Sequence, residues 1–98
     1  MTGKQRSFLK SLSNPLRPMM QLGKGGLTPE ALKQIDQLLN DHELLKINIL
    51  NNCPGEPVAI ARALEEELKT EFVSALGHKL VVYRASRTKE KANRIQLP

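Results

Sequence analysis

The residues whose types and spacing come nearest to a chemical task are Gln21-Leu22-Gly23-Lys24-Gly25-Gly26-Leu27-Thr28-Pro29. Three glycines in four positions permit a backbone at positive φ that lies close against another surface. Lys24 sets a cation inside the same turn. Thr28-Pro29-Glu30 then has the form of a helix start: a hydroxyl N-cap, proline at the first helical position and an acid in the positive first turn. A glycine loop that empties into a helix N-terminus leaves backbone N–H groups free to meet anionic oxygens. The chemistry this stretch suits is the holding of phosphate.

Two phosphate-handling enzyme patterns fail here. A P-loop needs G-x-x-x-x-G-K-[ST], but Gly23-Lys24 has Pro18 five residues earlier and Gly25 directly after. The dinucleotide fingerprint begins at Gly23-Lys24-Gly25 and meets Thr28 where its third glycine belongs, and Glu43 falls at the beginning of the next strand instead of its end. What remains is G-x-x-G between a strand and a helix, the loop type that clamps nucleic-acid backbone in KH-like modules. Taken alone, those four residues also describe a plain strand-to-helix turn.

No other group of residues forms a reacting constellation. The serines Ser7, Ser11, Ser13, Ser74 and Ser86 have no companion His and Asp at a recognisable spacing. His42, His78 and Cys53 fall in unrelated loops or helix ends and would supply only three zinc donors, so neither a metal nor another cofactor is expected. Phe8 and Phe72 lie on apolar faces, which leaves no aromatic platform for stacked bases. A nucleic-acid partner would be held by its phosphates and shape.

The elements that must position the loop follow from periodicity. Residues 3–13 set Phe8, Leu9 and Leu12 against Lys4, Arg6 and Lys10, the pattern of a short amphipathic helix, which Pro15 and Pro18 end. Met19 to Leu22 predicts a short strand leading into the glycine loop. Ala31, Leu32, Ile35, Leu38 and Leu39 predict a helix from Pro29 to about Asn40, and Asn40 to Glu43 a polar turn. Leu44 to Leu50 alternates as a strand, Asn51 to Gly55 is a loop, and a second long helix spans about Glu56 to Lys69. Phe72 to Leu76 and Leu80 to Arg84 form a hairpin across Gly77-His78. The expectation is a small single-domain α/β layer fold of order α-β-α-β-α-β-β, with a mixed four-stranded sheet. Residues 1–85 make the domain, and 86–98 a basic tail without apolar periodicity, loose or settling on a partner.

Composition agrees with one ordinary globular domain: 98 residues, of which 40% are hydrophobic and 26% charged. The lone Cys53 excludes an internal disulfide and fits a reducing cytoplasm. No apolar run is long enough to span a membrane, and no secretory leader is visible. The net charge of +5 is unevenly spread. Residues 1–26 carry five bases and no acid, residues 27–76 four bases against nine acids, and residues 77–98 six bases against one acid. Two cationic ends that converge on one face would suit a polyanion, with the acidic middle turned elsewhere. A different reading takes the exposed Glu65-Glu66-Glu67 face as the surface of a protein-binding adaptor, the basic ends serving solubility.

Five segments in register add a family resemblance. Leu9-Lys10-x-Leu12, Pro15-Leu16-Arg17-Pro18, Leu22 to Thr28, His42-Glu43-Leu44-Leu45-Lys46, and Gly77-x-x-Leu80-Val81-Val82-Tyr83-Arg84 occur in order across residues 4–84. The chain thereby resembles the CRM (chloroplast RNA splicing and ribosome maturation) domain, specifically its stand-alone YhbY-like bacterial members. That resemblance implies an RNA-binding domain, not an enzyme, with no small-molecule substrate. It also implies a fold similar to the C-terminal domain of translation initiation factor three, and association with ribosomal RNA in precursors of the large ribosomal (50S) subunit. The family's G-x-x-G loop carries over to Gly23, Lys24, Gly25 and Gly26. The expected RNA contacts are those four residues and Thr28, extended by Arg17, Lys10, Arg84 and the tail cations.

Overall fold

The computed structural model describes residues 1–98. The elements are α1 (Gly3–Ser13), β1 (Met20–Leu22), α2 (Pro29–His42), β2 (Leu44–Ile49), α3 (Pro57–Leu68), β3 (Glu71–Leu76) and β4 (Lys79–Tyr83), followed by a 3₁₀ turn at Lys91–Asn93. This is the expected order. The four strands form one mixed sheet in the spatial order β1-β2-β4-β3, with β1 parallel to β2 and the other pairs antiparallel.

Local chemistry sets the helix starts. Thr2 and Gln5 form a reciprocal capping box at α1: the Gln5 N–H donates to Thr2 Oγ1 at 3.1 Å, and the Thr2 N–H to Gln5 Oε1 at 3.0 Å. At α2 the Ala31 N–H donates to Thr28 Oγ1 at 3.1 Å, and Pro29 opens the helix. Pro57 does the same for α3, which ends at Lys69 in the left-handed conformation.

Strand alternation divides the core into two layers. Leu45, Ile47, Ile49, Leu80 and Val82 join Met20 and Leu22 on one face, under Ile35 and Leu39 of α2 and Ile60 and Leu64 of α3. Leu44, Val73, Val81 and Tyr83 point the other way, against Leu9 of α1. Each fully buried Leu or Ile contributes about 1.5–3 kcal/mol of transfer free energy, so the first and larger cluster carries most of the stability.

The strand directions give the sheet two unlike ends. Since β1 and β2 run together and β4 runs against them, the ends of β1 and β2 and the β3–β4 turn lie at one end. The start of β2 and the finish of β4 lie at the other, about 17 Å away for a six-residue strand. The Gly23–Gly26 loop occupies the first end. Glu43, Arg84 and the beginning of the tail occupy the second.

Two expectations are corrected at that second end. The turn predicted over Asn40 to Glu43 is mostly helix: α2 continues to His42, and Glu43 alone makes the link at φ 66°, 1% exposed. The tail is docked. The Ser86 and Ile95 N–H groups each donate to the Glu43 carboxylate at 2.8 Å, and Ile95 and Leu97 pack on the cluster around Leu9. Gln5 Nε2 of α1 donates to the Pro98 carbonyl at 3.2 Å, which joins the two ends of the chain. The docking relies on backbone donors meeting one buried carboxylate and on two isolated apolar residues. It therefore leaves no periodic trace in the sequence.

Candidate functional site

Residues 23–26 form a tight turn between β1 and α2, closed by the Gly26 N–H donating to the Gly23 carbonyl at 2.9 Å. Gly26 is buried at φ +61°, and a Cβ there would come within 3.1 Å of Pro54 Cγ, so both its conformation and its close approach require glycine. Lys24 and Gly25 are exposed on the outer side of the turn. The N–H groups of Lys24, Gly25 and Leu27 make no hydrogen bond within the protein. Thr28 caps α2 one step further on, so unpaired donors, a lysine and a helix N-terminus stand together.

A groove of about 230 Å³ runs between this turn and the first turns of α3. Gly25, Gly26, Pro54 and Ala59 wall it, and Leu27 and Ile60 contribute apolar surface. The contact of Gly26 with Pro54 thus joins the glycine turn to the loop that begins α3. Cys53 belongs to that same loop, but it is buried in the core and its burial pushes the thiol up, which keeps it protonated near neutral pH. His42, Cys53 and His78 stand at the end of α2, before α3 and in the β3–β4 turn respectively, three separate places.

Of the other residues expected to contact a ligand, Lys10 and Arg17 are exposed. Lys10 lies in the last turn of α1, at the loop end of the sheet. Arg17 lies in the connection to β1, next to Leu16, whose carbonyl accepts from Lys46 Nζ at 3.0 Å. Arg84 is a correction. It lies at the opposite end of the sheet and is 6% exposed, with both terminal nitrogens of its guanidinium engaged and Nε buried without a partner. Nη1 donates to Asp36 Oδ1 at 2.7 Å and to the Leu68 carbonyl at 3.1 Å; Nη2 donates to the Asp36 carbonyl and to Asn40 Oδ1, both at 3.1 Å. Arg84 fastens α2 to the end of α3, and burial closes its guanidinium to a phosphate. The tail cations are likewise displaced, because the tail starts beside Arg84, away from the loop.

Arg84→Lys keeps the charge but loses the planar fork, and should destabilise the fold by about 1–2 kcal/mol; Arg84→Ala should cost about 2–4 kcal/mol. Asp36 is 41% exposed, so water relieves part of the broken ion pair. Urea titration reads the loss, while the affinity of the folded protein for the RNA that the family resemblance implies should stay at the parent level. A drop in affinity at unchanged stability would restore Arg84 to the binding surface.

Sequence reasoning overlooked Glu43, Lys46 and Lys79. The alternation of β2 places Lys46 on the α1 side, opposite Val81, and the two-residue β3–β4 turn brings Lys79 beside Asn48. The pattern that located the strand therefore held the signal for Lys46. For Glu43 there was none.

Comparison with known proteins decides the relationship. The family model described as the CRS1 / YhbY (CRM) domain matches residues 1–84. The chain belongs to that family. This CRM domain is 36% identical over 98 residues to the Probable RNA-binding protein YqeI of Bacillus subtilis, covering 100% of this chain and 99% of that one. It is 41% identical over 95 residues to an RNA-binding protein of Haemophilus influenzae, covering 97% and 92% of the two chains. The solution structure of SAV1595 from Staphylococcus aureus matches it with a TM-score of 0.79 and 37% identity, over 100% of this chain and 99% of that one. The neighbour spans residues 85–98 as well, so the likeness extends over the docked tail of this CRM domain.

Proposed function

We propose that this CRM domain binds RNA through the sugar–phosphate chain, with the Gly23–Gly26 turn as its clamp. The observation that carries the reading is the turn itself: free N–H groups at Lys24, Gly25 and Leu27, an exposed lysine and the start of α2 converge at one end of the sheet. The names of the Bacillus and Haemophilus relatives support RNA as the partner class. Lys10 extends the cationic surface at the same end, and Arg17 adds an exposed cation in the connection that enters β1. The acids Glu65, Glu66 and Glu67 are carried about 12 Å along α3 from its N-terminus, so they do not face the clamp. The family resemblance further points to ribosomal RNA of the precursor large subunit, bound during assembly in the cytoplasm, by a protein that binds without catalysing. No helix is long and apolar enough to cross a membrane.

The test is the salt dependence of binding to a fragment of large-subunit ribosomal RNA. With about five phosphates neutralised, log K should fall against log[salt] with a slope near −3.5 on a single strand and −4.5 on a duplex. Tight binding that ignores salt would contradict a backbone clamp. Crosslinking in cells followed by sequencing of the attached RNA tests the ribosomal assignment, and enrichment of messenger or transfer RNA alone would overturn it.

A further inference from the structure

On the α1 side of the sheet, at the loop end, three lysines from three elements meet over a small recess of about 70 Å³. Lys10 comes from α1, Lys46 from β2 and Lys79 from β4, with Ser13, Asn14 and Ser74 between them and no carboxylate in the lining. Neither ion pair of the structure involves these lysines: one joins the N-terminus to Glu71 and the other joins Arg84 to Asp36. Like charges gathered without a counter-ion repel one another, and an anion among them turns that repulsion into attraction. A purely structural account would have the lysines neutralise the carbonyl end of α1, and Lys46 does donate to the Leu16 carbonyl. A helix C-terminus presents only about half a unit of negative charge. Three ammonium groups exceed it several-fold, and Lys46 Nζ retains two further donors.

We propose that this recess is a second phosphate-binding site, taking a phosphate of the same RNA strand that the glycine turn clamps. The inference rests on the RNA-binding reading above. Register supports one strand reaching both places: Gln21, Asn48 and Lys79 form one rung across β1, β2 and β4. Two strand spacings, about 10 Å, separate the ends of that rung. Gln21 is two residues from Gly23. The RNA therefore passes over the end of the sheet, from the turn down onto the α1 face. The recess has no aromatic wall, so it holds a phosphate and reads no base.

The experiment combines two readouts on the full chain. Amide chemical shifts are followed by NMR during titration with a single-stranded fragment of large-subunit ribosomal RNA, and separately with inorganic phosphate. The salt slope is then measured for Lys10→Gln/Lys79→Gln, both exposed positions, leaving Lys46 to hold Leu16. RNA should shift the amides of Lys24 and Gly25 together with those of Ser74, Lys79 and Val81, and phosphate should shift the second group. The variant should bind about tenfold more weakly at 0.1 M salt, with the slope reduced by about 1.4. Lys4→Gln/Arg87→Gln, which removes as much charge at the opposite end, should leave the slope unchanged. If only the loop amides move, or if both variants lose slope equally, the second site is refuted and the clamp stands. If only the recess amides move, the clamp is refuted and the recess stands. If neither group moves, both are refuted.

Discussion

Lys24→Asp with Gly25→Asp is expected to abolish detectable RNA binding while the circular dichroism spectrum stays near that of the parent. The pair removes one cation and adds two anions where the phosphate of the proposed clamp would sit. At an effective dielectric of about 20, each carboxylate–phosphate repulsion at close range amounts to roughly a few kcal/mol before screening. That is more than a tenfold loss of affinity requires. The fold should tolerate the change because both positions are exposed and neither has a positive φ; the left-handed glycine of the turn is Gly26. One contact needs a control. A Cβ at Gly25 would come within 3.1 Å of Thr28 Cγ2, so any side chain there presses on the residue that caps α2. Lys24→Ala with Gly25→Asn places the same Cβ without negative charge, and should weaken binding without abolishing it. If the folded Asp pair binds ribosomal RNA like the parent, the turn is only a connection between β1 and α2. If both pairs lose binding equally, crowding at Thr28 is the cause.

Deleting residues 86–98 is expected to destabilise the domain by about 3–5 kcal/mol, a large part of the 5–15 kcal/mol typical of a whole domain. Ile95 and Leu97 leave the cluster around Leu9, at about 1 kcal/mol or more each for partial burial. The Glu43 carboxylate loses both of its N–H donors, and charge-assisted hydrogen bonds of this kind contribute about 1.5–3 kcal/mol each where water does not replace them. Water admitted by the deletion reduces that second contribution. For a chain of this length the loss corresponds to a fall in Tm of roughly 12–30 °C. Thermal unfolding of the truncated and full-length chains measures it. A truncated chain with the parent's Tm would show that the tail rests on the surface and contributes nothing. Glu43→Gln separates the contributions, since it keeps the shape but leaves one acceptor oxygen and sets an NH2 group against the other backbone donor, and should reproduce only part of the fall.

How much was legible beforehand depended on the range of the interaction concerned. Thr28-Pro29-Glu30 marked the start of α2 because capping is settled within one helical turn. The alternation of Leu45, Ile47 and Ile49 marked β2, and the two-residue spacing at Gly77-His78 marked the hairpin, for the same local reason. The glycine turn was legible as a place where backbone donors are left free, since no element on either side of it can pair them. The sequence by itself thus determined the elements, their order and the place of the glycine turn for which phosphate binding is proposed. Tertiary structure alone decided which charges stand beside that turn. A basic residue in sequence is a cation at an unknown place, and strand direction sent Arg84 to the far end of the sheet, into a pocket made by Asp36, Asn40 and Leu68. The same geometry gathered Lys10, Lys46 and Lys79, up to 69 residues apart in the chain, into one recess at the loop end. It also buried Glu43, an acid in a polar run, because the last turn of α2 points it inward, where two backbone donors from the tail replace the water it loses.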